Sequence, residues 1–459
     1  FLYGKKPTLL RVVATKATIN IVINAFLATL WMALLGGKGF YAMIPVRVIK
    51  NKPNMSDDLP YAVYKNGSLA SGSAIRQYDV TTFDAASNVM YVSDVKITGI
   101  YENVYPNSET PATVTVLGHE FPVLSTATAD LNTFKVGDQI TLLLSHDGQV
   151  AGAVEPSVAR GTPVGTVKSI DGGTATVTIL ETKDHTGKDL ELSGTVTYSK
   201  DRADEMKGQL VTVSSSSRGR ITLNKLSGRG ADAPLNLETG RMNTVALSNN
   251  VHFYEKVGRS TLVPIEREDI TRSVIPADNI TYVHKDYAGN ADIVVFDDVT
   301  GDCYTYGMVR TSTEAGDEGS NGLTYATVTN ESGTSSSFLL NNGENLRGVR
   351  YGGLVAGPAR TDGKVVLERW VELQSVSVKS SAFDVDAMTV TTPSMVIPIA
   401  ENVMCYNETT GSWYQVPDEA KEEDYVNALN LARAFSENVT IYYDKAPDQG
   451  GKVRIVVVG

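Results

Sequence analysis

Short alternating runs of apolar and polar residues fill most of this chain. From about residue 57 onward, Val, Thr, Tyr and Ser alternate, and the runs are separated by Gly, Asn, Asp and Pro. A period of two is typical of half-buried β-strands joined by tight turns. The pattern therefore predicts a mainly β fold of tandem small modules, each resembling a sandwich or a barrel.

Helical periodicity is strong in one segment of the body, residues 417–433. Pro417 suits a first helical turn, and the acids that follow it complement the positive end of the helix dipole. We expect one helix at this place, inside the last β module.

One four-residue strand, ATVT, occurs three times, at 112–115, 175–178 and 326–329. Before each copy lies a strand that carries a glycine, and after it lies a hairpin that opens on one glycine and turns on another. The strand glycines are Gly99, Gly165 and Gly307, and the hairpins open at Gly137, Gly208 and Gly353. Asp-Gly or Arg-Gly at the bend supplies the positive φ that a tight hairpin needs. Each unit offers about four or five strands, enough for a small sandwich or half-open barrel.

A second repeat, of three short strands with Asn or Asp before each apolar run, is interleaved with the ATVT repeat. Its copies cover about 61–94, about 249–298 and 401–459. The order along the chain is second, first, first, second, first, second. We therefore predict a distinct head followed by three β modules, with bounds at 1–52, 56–154, 155–300 and 301–459.

The head differs from the body in hydropathy. Between Lys16 and Lys38 lie 21 uncharged residues. As a helix with a rise of about 1.5 Å per residue, they span roughly 30 Å, the thickness of a bilayer core. We expect a transmembrane helix at 17–37, with a buried helix of a soluble protein as the alternative. Asn20 and Asn24 lie on one face of this helix and favour contact with another helix.

Charge divides the chain at the same place. The head holds eight Lys or Arg and no Asp or Glu, whereas the body holds 33 Lys or Arg against 52 Asp or Glu. So acidic a body repels phosphate backbones, which argues against nucleic acid as a partner. The chain starts at Phe1 without a signal-peptide cleavage pattern, and we expect it to be a piece of a longer protein.

No arrangement of residues predicts a catalytic or cofactor-binding site, and we expect no enzyme. The sequence contains no GxSxG elbow, no GxxxxGK[ST] loop and no HExxH pattern. None of the five histidines has a second His or Cys at metal-ligand spacing, so we interpret them as scattered surface residues. They are His119, His146, His185, His252 and His284.

Two acidic segments, 284–292 and 296–302, could hold Ca²⁺ because both place Asp oxygens around glycine-containing turns. Neither has the spacing of an EF-hand, and Asp and Asn also cap turns unaided, so turn chemistry is favoured over a metal. Cys303 and Cys405 are too few for a disulfide framework, and two unpaired thiols are favoured over one bridge. The 21 tyrosines could form an aromatic stripe for a glycan, although alternating Tyr more often packs within a sheet.

Several runs of the body carry a resemblance to a known family. LPYAVYKNG, QYDVTTFD, VKITGIYENVYPNSETPATVTVLGHEFPVL, VGDQITLLLSHDGQVAGAV and the closing GGKVRIVVVG resemble the non-catalytic β-rich region of S-layer homology domain proteins of Gram-positive anaerobes. The resemblance covers about residues 56–459 and implies export and attachment to the cell wall. The wall-anchoring repeats of that family are not visible in this sequence.

The head resembles a different family, the folate-type substrate-binding component of energy-coupling-factor transporters. The runs FLYGKKPTLLR and LWMALLGGKGFYAMIPVRVIKN look like one late helix of that six-helix family and the start of the next. The residues that carry the likeness are Gly4, Lys5, Lys6, Pro7, Trp31, Gly37, Lys38, Gly39, Pro45, Arg47, Lys50 and Asn51. A folate pocket needs all six helices, so no folate-binding residue is carried over.

These observations predict a non-enzymatic structural or adhesion protein of the cell surface or S-layer, secreted and tethered to the membrane through 17–37. One alternative is a glycan- or cell-wall-binding accessory module of a larger surface protein. A second alternative, which depends on the head alone, is a membrane transporter component. The partners we expect are cell-wall polysaccharide or other surface proteins, and no cofactor is expected beyond the Ca²⁺ considered above.

Overall fold

The computed structural model of the chain describes residues 46–53, 55–57, 59–226, 230–286, 288–314, 323–341, 344–360 and 362–459. The transmembrane helix expected at 17–37 lies outside these residues. Within them, every helix is too short or too polar to cross a bilayer. The prediction of a mainly β protein with small barrel-like modules is confirmed.

The chain forms two compact units. The first contains the described residues up to Ser199 together with Leu210–Leu226, and the second contains Lys200–Gln209 and the described residues from 230 to the end. The module bounds expected at 155 and 301 stay a prediction.

The first unit consists of one sheet followed by two barrels. Sheet 1 contains β1 Val46–Val48, β2 Ala62–Lys65, β3 Ser68–Ala70, β4 Val80–Asp84 and β5 Val89–Ser93. Barrel 1 contains β6 Lys96–Tyr105, β7 Thr113–Val116, β8 His119–Pro122, helix α1 Thr128–Leu131, β9 Gln139–Leu144 and β10 Val150–Val154. Barrel 2 contains β11 Val164–Asp171, β12 Thr174–Lys183, β13 Asp189–Thr195, β14 Leu210–Ser217 and β15 Arg220–Lys225.

The second unit starts with helix α2 Lys200–Met206 and continues as sheet, barrel and sheet. Sheet 2 contains β16 Leu235–Asn236, β17 Arg241–Met242, β18 Val245–Lys256, β19 Val263–Ile265, β20 Val274–Ile275, β21 Ile280–Lys285 and β22 Ala291–Asp297. Barrel 3 contains β23 Thr305–Thr313, β24 Thr324–Thr329, β25 Ser335–Leu339, β26 Tyr351–Ala359 and β27 Val365–Glu372. Sheet 3 contains β28 Gln374–Lys379, β29 Phe383–Asp384, β30 Thr389–Thr391, β31 Val396–Asn407, β32 Ser412–Trp413, helix α3 Glu422–Phe435, β33 Asn438–Tyr443 and β34 Val453–Val458.

All three barrels have the same strand order. Numbered within a barrel, the order is 1-2-3-5-4, and strand 4 pairs with strand 1. Barrels 2 and 3 close through a parallel pair of strands 3 and 5. In barrel 1 a single parallel bridge, from Val123 to Val150, stands in that place. Five-stranded Greek-key barrels of this size include the OB-fold, but a shared topology does not assign a function.

The three sheets share a core of three strands in which the first and third are parallel and the second is antiparallel to the third. In chain order these strands are β2, β4 and β5 in sheet 1, β18, β21 and β22 in sheet 2, and β31, β33 and β34 in sheet 3. They coincide with the copies of the second sequence repeat, at about 61–94, about 249–298 and 401–459. The succession sheet, barrel, barrel, sheet, barrel, sheet therefore has the order found in the sequence.

The edge strand of sheet 1 comes from residues that the sequence analysis assigned to the head. Strand β1 pairs antiparallel with β4, and Val48 is buried against Val80, Leu143 and Ala151. Residues 46–48 therefore belong to sheet 1, because they pair with β4 and contribute Val48 to its buried cluster.

The ATVT strand is the second strand of every barrel. Val114, Val177 and Val328 are fully buried, as are Ala175 and Ala326. The threonines between them face outward and are half-buried, because successive side chains of a strand point to opposite faces. The motif recurs because it fits the tight interior of a five-stranded barrel.

The glycine in the first strand of each barrel allows the neighbouring ATVT strand to approach closely. A Cβ on Gly165 would lie 2.2 Å from the carbonyl oxygen of Thr178, and one on Gly307 would lie 2.2 Å from that of Thr329. The hairpin glycines have a different cause: Gly148 and Gly219 have φ values of +73° and +69°, which favour glycine.

Helix α3 begins at Glu422, after the expected start at Pro417. The start is fixed by Asp424, whose carboxylate accepts the backbone N–H of Lys421 at 2.9 Å. This bond satisfies one of the free donors at a helix N-terminus. Pro417 instead lies in the preceding loop.

Candidate functional site

One position at the end of the first core strand is buried and polar in every sheet. It lies two residues beyond Val63, Phe253 and Cys405, which pair with core residues of the parallel strand. The occupants are Lys65, Glu255 and Asn407, each 5% exposed or less. A buried polar side chain is tolerated only when it is hydrogen-bonded.

Each occupant fixes a neighbouring loop with its own chemistry. The ammonium of Lys65 donates to the carbonyl of Ala74 at 3.1 Å. The carboxylate of Glu255 accepts the backbone N–H of Thr300 at 2.8 Å, and also the N–H of Val299 and the hydroxyl of Thr300. Burial raises the pKa of Glu255. This carboxylate holds the loop at residues 299–300, and it also lines the cavity described below.

The largest fully buried side chain belongs to Arg454 in β34, which is 2% exposed. Its Nε donates to Asp444 at 2.9 Å, and its Nη1 donates to Asp302 at 2.6 Å. Its Nη2 donates to the carbonyl of Thr300 at 2.6 Å. The guanidinium also lies 4.7 Å from the ring centroid of Tyr306, within cation–π range.

Electrostatics favour the charged forms of Arg454 and Asp302. Burial alone would lower the pKa of Arg454, but Tyr306, Asp444 and Asp302 outweigh it and raise that pKa. For Asp302, burial would raise the pKa, but the charges of Arg454 and Lys452 lower it. Burial raises the pKa of Tyr306 well above its ordinary value, so its hydroxyl stays a donor, to Asp444 at 2.8 Å.

The acids of 296–302, considered above for calcium, belong to the same cluster. Asp298 accepts from Lys445 at 2.7 Å, from the hydroxyl of Tyr304 at 3.1 Å and from Arg369 at 3.3 Å. Asp302 is shared by Arg454 and Lys452. These oxygens therefore neutralise protein cations.

The second acidic segment, 284–292, is a turn. The Oδ1 of Asp286 accepts the backbone N–H of Ala288 at 2.7 Å and that of Asn290 at 3.0 Å. Asp292 pairs with His284 at 2.7 Å. Over the part of the chain that the structure describes, no three His, Cys, Asp or Glu residues are grouped as a metal site would require.

The two cysteines are free thiols. Cys405 lies in the core of sheet 3, and burial raises its pKa to about 12. Cys303 borders a cavity of about 350 Å³ together with Glu255, Asp302 and Lys452. Burial also raises the pKa of Cys303, so its thiol is protonated at neutral pH and is a poor nucleophile.

The histidines are dispersed, as expected, but His119 is not a surface residue. It is half-buried in barrel 1, where its ring lies 4.5 Å from that of Phe121 and its Nδ1 lies 3.1 Å from the carbonyl of Glu191. Burial lowers its pKa. His146 is exposed and stacks on Tyr91 at 4.6 Å.

A second cavity, in the first unit, has a volume of about 720 Å³. Tyr78 and Phe134 line it, together with Lys50, Asp130 and Gln139. Tyr78 has φ +67°, a costly backbone conformation for a bulky residue. Asp130 binds Lys50 through Oδ1, and its buried Oδ2 has no hydrogen-bond partner in the described residues. We call this cavity the barrel 1 groove.

Comparisons with protein-family models, with curated proteins and with solved structures gave no match.

Sequence reasoning missed the cluster around Arg454. The available signal was the closing strand KVRIVVVG, in which one Arg stands among apolar residues. A cation in such a strand has to be buried with acidic partners. Its partners Asp302 and Asp444 are 152 and 10 residues away in the chain, so the sequence could not identify them.

Proposed function

We propose that the chain is a non-enzymatic structural or adhesion protein of the cell surface, in which tandem β modules act as spacers or contact elements. Its two recurrent building blocks follow one another as sheet, barrel, barrel, sheet, barrel and sheet. Sheets 2 and 3 and barrel 3 each contain a cluster of buried apolar residues. Modular proteins of this type present or separate binding surfaces and do not need a reactive centre.

The observation that carries the proposal is the use of carboxylates to hold the fold together. Asp298, Asp302, Asp444 and Glu255 are each occupied by protein cations, hydroxyls or backbone N–H groups. General acid–base catalysis needs a titrating group that can reach a substrate. Asp444 and Glu255 are buried, and Asp298 and Asp302 are partly exposed. All four carboxylates hold loops or strands in place, which suits a load-bearing role.

The proposal is tested by fractionating cells that produce the protein. We expect it in the cell-wall fraction, released by muramidase digestion or by high salt. Recovery in the soluble cytoplasm alone would overturn the proposal. A soluble cytoplasmic enzyme, followed in the same fractions, controls for lysis.

The alternative of a glycan-binding accessory module is favoured by the barrel 1 groove. Sugar-binding sites combine aromatic faces with amide and carboxylate groups, and Tyr78, Phe134, Gln139 and Asp130 supply these. Its volume of about 720 Å³ is within the usual range for small-ligand sites.

Co-sedimentation with purified cell-wall polysaccharide tests this alternative. Phe134→Ala removes an aromatic face of the groove and should weaken retention at least about tenfold, the equivalent of roughly 1.4 kcal/mol. Val136→Ala, an exposed apolar residue outside the groove lining, is the matched control and should bind as the unmodified chain does. Equal retention of the unmodified chain and both variants, or no retention of any of them, would exclude the groove as a glycan site.

A further inference from the structure

The geometry points to an intramolecular amide bond between the side chains of Lys65 and Asp79, which would link β2 covalently to the residue before β4. Sheet 1 has the order β1-β4-β5-β2-β3, so β5 lies between the two linked strands. The bond would therefore clamp three strands of the sheet together. This inference does not depend on the proposed function.

The two side chains are in contact and sealed from water. The Nζ of Lys65 lies 2.7 Å from Oδ2 of Asp79, and each side chain is 1% exposed. Lys65 lies on the same face of β2 as the buried Val63. Asp79 is held in place by the backbone N–H of Arg76, which donates to the same carboxylate at 2.8 Å.

A third group is placed to move protons. Asp94 follows the end of β5, and its Oδ2 lies 3.5 Å from Nζ of Lys65. The side-chain amide of Asn66 donates to its Oδ1 at 2.7 Å, which fixes its orientation. Asp94 is one-third exposed, so it can exchange protons with solvent. Amine, acceptor carboxyl and proton carrier thus meet at one end of three strands.

The reaction needs no other reagent. Asp94 takes a proton from the Lys65 ammonium, and the amine attacks Cγ of Asp79. Burial raises the pKa of Asp79, which favours the protonated carboxyl that can lose water. The C–N bond forms and the C–O bond breaks. Asp94 returns its proton to the hydroxyl, which leaves as water, and then takes the second proton of the amine nitrogen. One ammonium and one protonated carboxyl become one amide, one water molecule and one proton, which Asp94 passes to solvent.

Other close pairs in the described residues lack some part of this arrangement. Lys183 and Asp189 are in contact, but both are about 60% exposed. Arg454 and Asp444 are buried, but a guanidinium remains charged and is not an acyl acceptor at neutral pH. Lys96 lies 3.9 Å from Asp79, farther than Lys65 does.

Intact-mass measurement of the denatured full chain tests the inference. We expect a mass lower than the sequence mass by one water molecule, and peptide mapping should recover a branched peptide that joins Lys65 to Asp79. A full sequence mass for protein that is folded by circular dichroism would overturn it, and a salt bridge would then be the whole interaction. A branched peptide that joins Lys96 to Asp79, or one that joins Lys183 to Asp189, would overturn it as well.

Variants separate the roles of the three residues. Lys65→Arg keeps the charge but cannot form the amide, and should have its full sequence mass. Asp79→Asn should give the same product as the unmodified chain, because ammonia leaves in place of water. Asp94→Asn should slow bond formation by roughly 10²-fold or more. Full linkage of Asp94→Asn at the unmodified rate would remove Asp94 from the chemistry.

Discussion

At the scale of single residues, burial determines what the charged side chains of the second unit do. Arg454 is enclosed by Asp302, Asp444 and the ring of Tyr306, and every guanidinium nitrogen has a partner. The attraction between such ions offsets a large desolvation cost only while the set is complete. Removing one member leaves an unpaired charge in the interior.

Replacing Arg454 with methionine tests this directly. We expect Arg454→Met to lower the free energy of unfolding by about 3–5 kcal/mol, because Asp444 and Asp302 lose their main counter-charge. Urea unfolding followed by the fluorescence of Trp370 and Trp413 reports on this unit. Arg350→Met, which removes an arginine 58% exposed and paired with Glu408, is the control and should cost less than about 1 kcal/mol. Equal losses in the two variants would contradict the account.

Lys256 gives the second unit a pH dependence of known sign. It is 5% exposed, and burial lowers its pKa from 10.5 to about 8, against the opposing charges of Asp297 and Glu368. Between these two pH values the unfolded chain binds the proton and the folded chain does not, so stability rises with pH. Its contribution is smallest below pH 8.

The prediction is a rise of up to about 3 kcal/mol in the free energy of unfolding between roughly pH 8 and pH 10.5, attributable to Lys256. The rise should be absent from Lys256→Met, which has no proton to lose. Urea titrations of both proteins at half-unit pH intervals give the difference. The same slope in the variant as in the unmodified chain would show that Lys256 is not its source.

At the scale of elements, local sequence periodicity predicted the strands. It did not predict which distant strands pair. The recurrence of ATVT between glycine landmarks identified the strands of all three barrels, because a small barrel demands small residues at fixed places. The parallel pairing of barrel strands 3 and 5, and of the first and third core strands of each sheet, cannot be recognised from local sequence. Such pairing joins residues far apart in the chain, as Leu339 and Val366 are.

The candidate site shows the same difference between local motifs, which the sequence predicts, and long-range pairing, which it does not. The turn chemistry of Asp286 follows from a local motif, HKDYAGNAD, and was the favoured interpretation. The pairing of Asp298 with Lys445 depends on tertiary structure. His119 was expected at the surface, but it is half-buried beside Phe121, and its Nδ1 lies 3.1 Å from the carbonyl of Glu191 in barrel 2.

Gly165→Ala tests the close approach of the first two barrel strands. A Cβ at this position would lie 2.2 Å from the carbonyl of Thr178, so β11 or β12 has to shift. We expect a loss of about 1–3 kcal/mol in the free energy of unfolding, measured by circular dichroism in urea. Lys168→Ala, an exposed change on the same strand, should cost less than about 1 kcal/mol. An unchanged midpoint for Gly165→Ala would mean that the approach is not a constraint.

At the scale of the whole molecule, two building blocks and an acidic body account for the proposed role. The body holds 33 Lys or Arg against 52 Asp or Glu, and a net negative charge favours solubility. Its buried charges stabilise the modules and leave the outer surfaces as the parts that can meet other molecules. A surface role therefore requires that those surfaces be accessible from outside the cell.

Labelling of intact producing cells with a membrane-impermeant amine reagent tests the central claim most directly. Surface lysines such as Lys168 and Lys183 are about 60% exposed and should react before any lysis, and external protease should remove the protein from the cells. A cytoplasmic protein followed in the same sample should remain unlabelled. Labelling that appears only after the cells are broken would contradict a surface role for this chain.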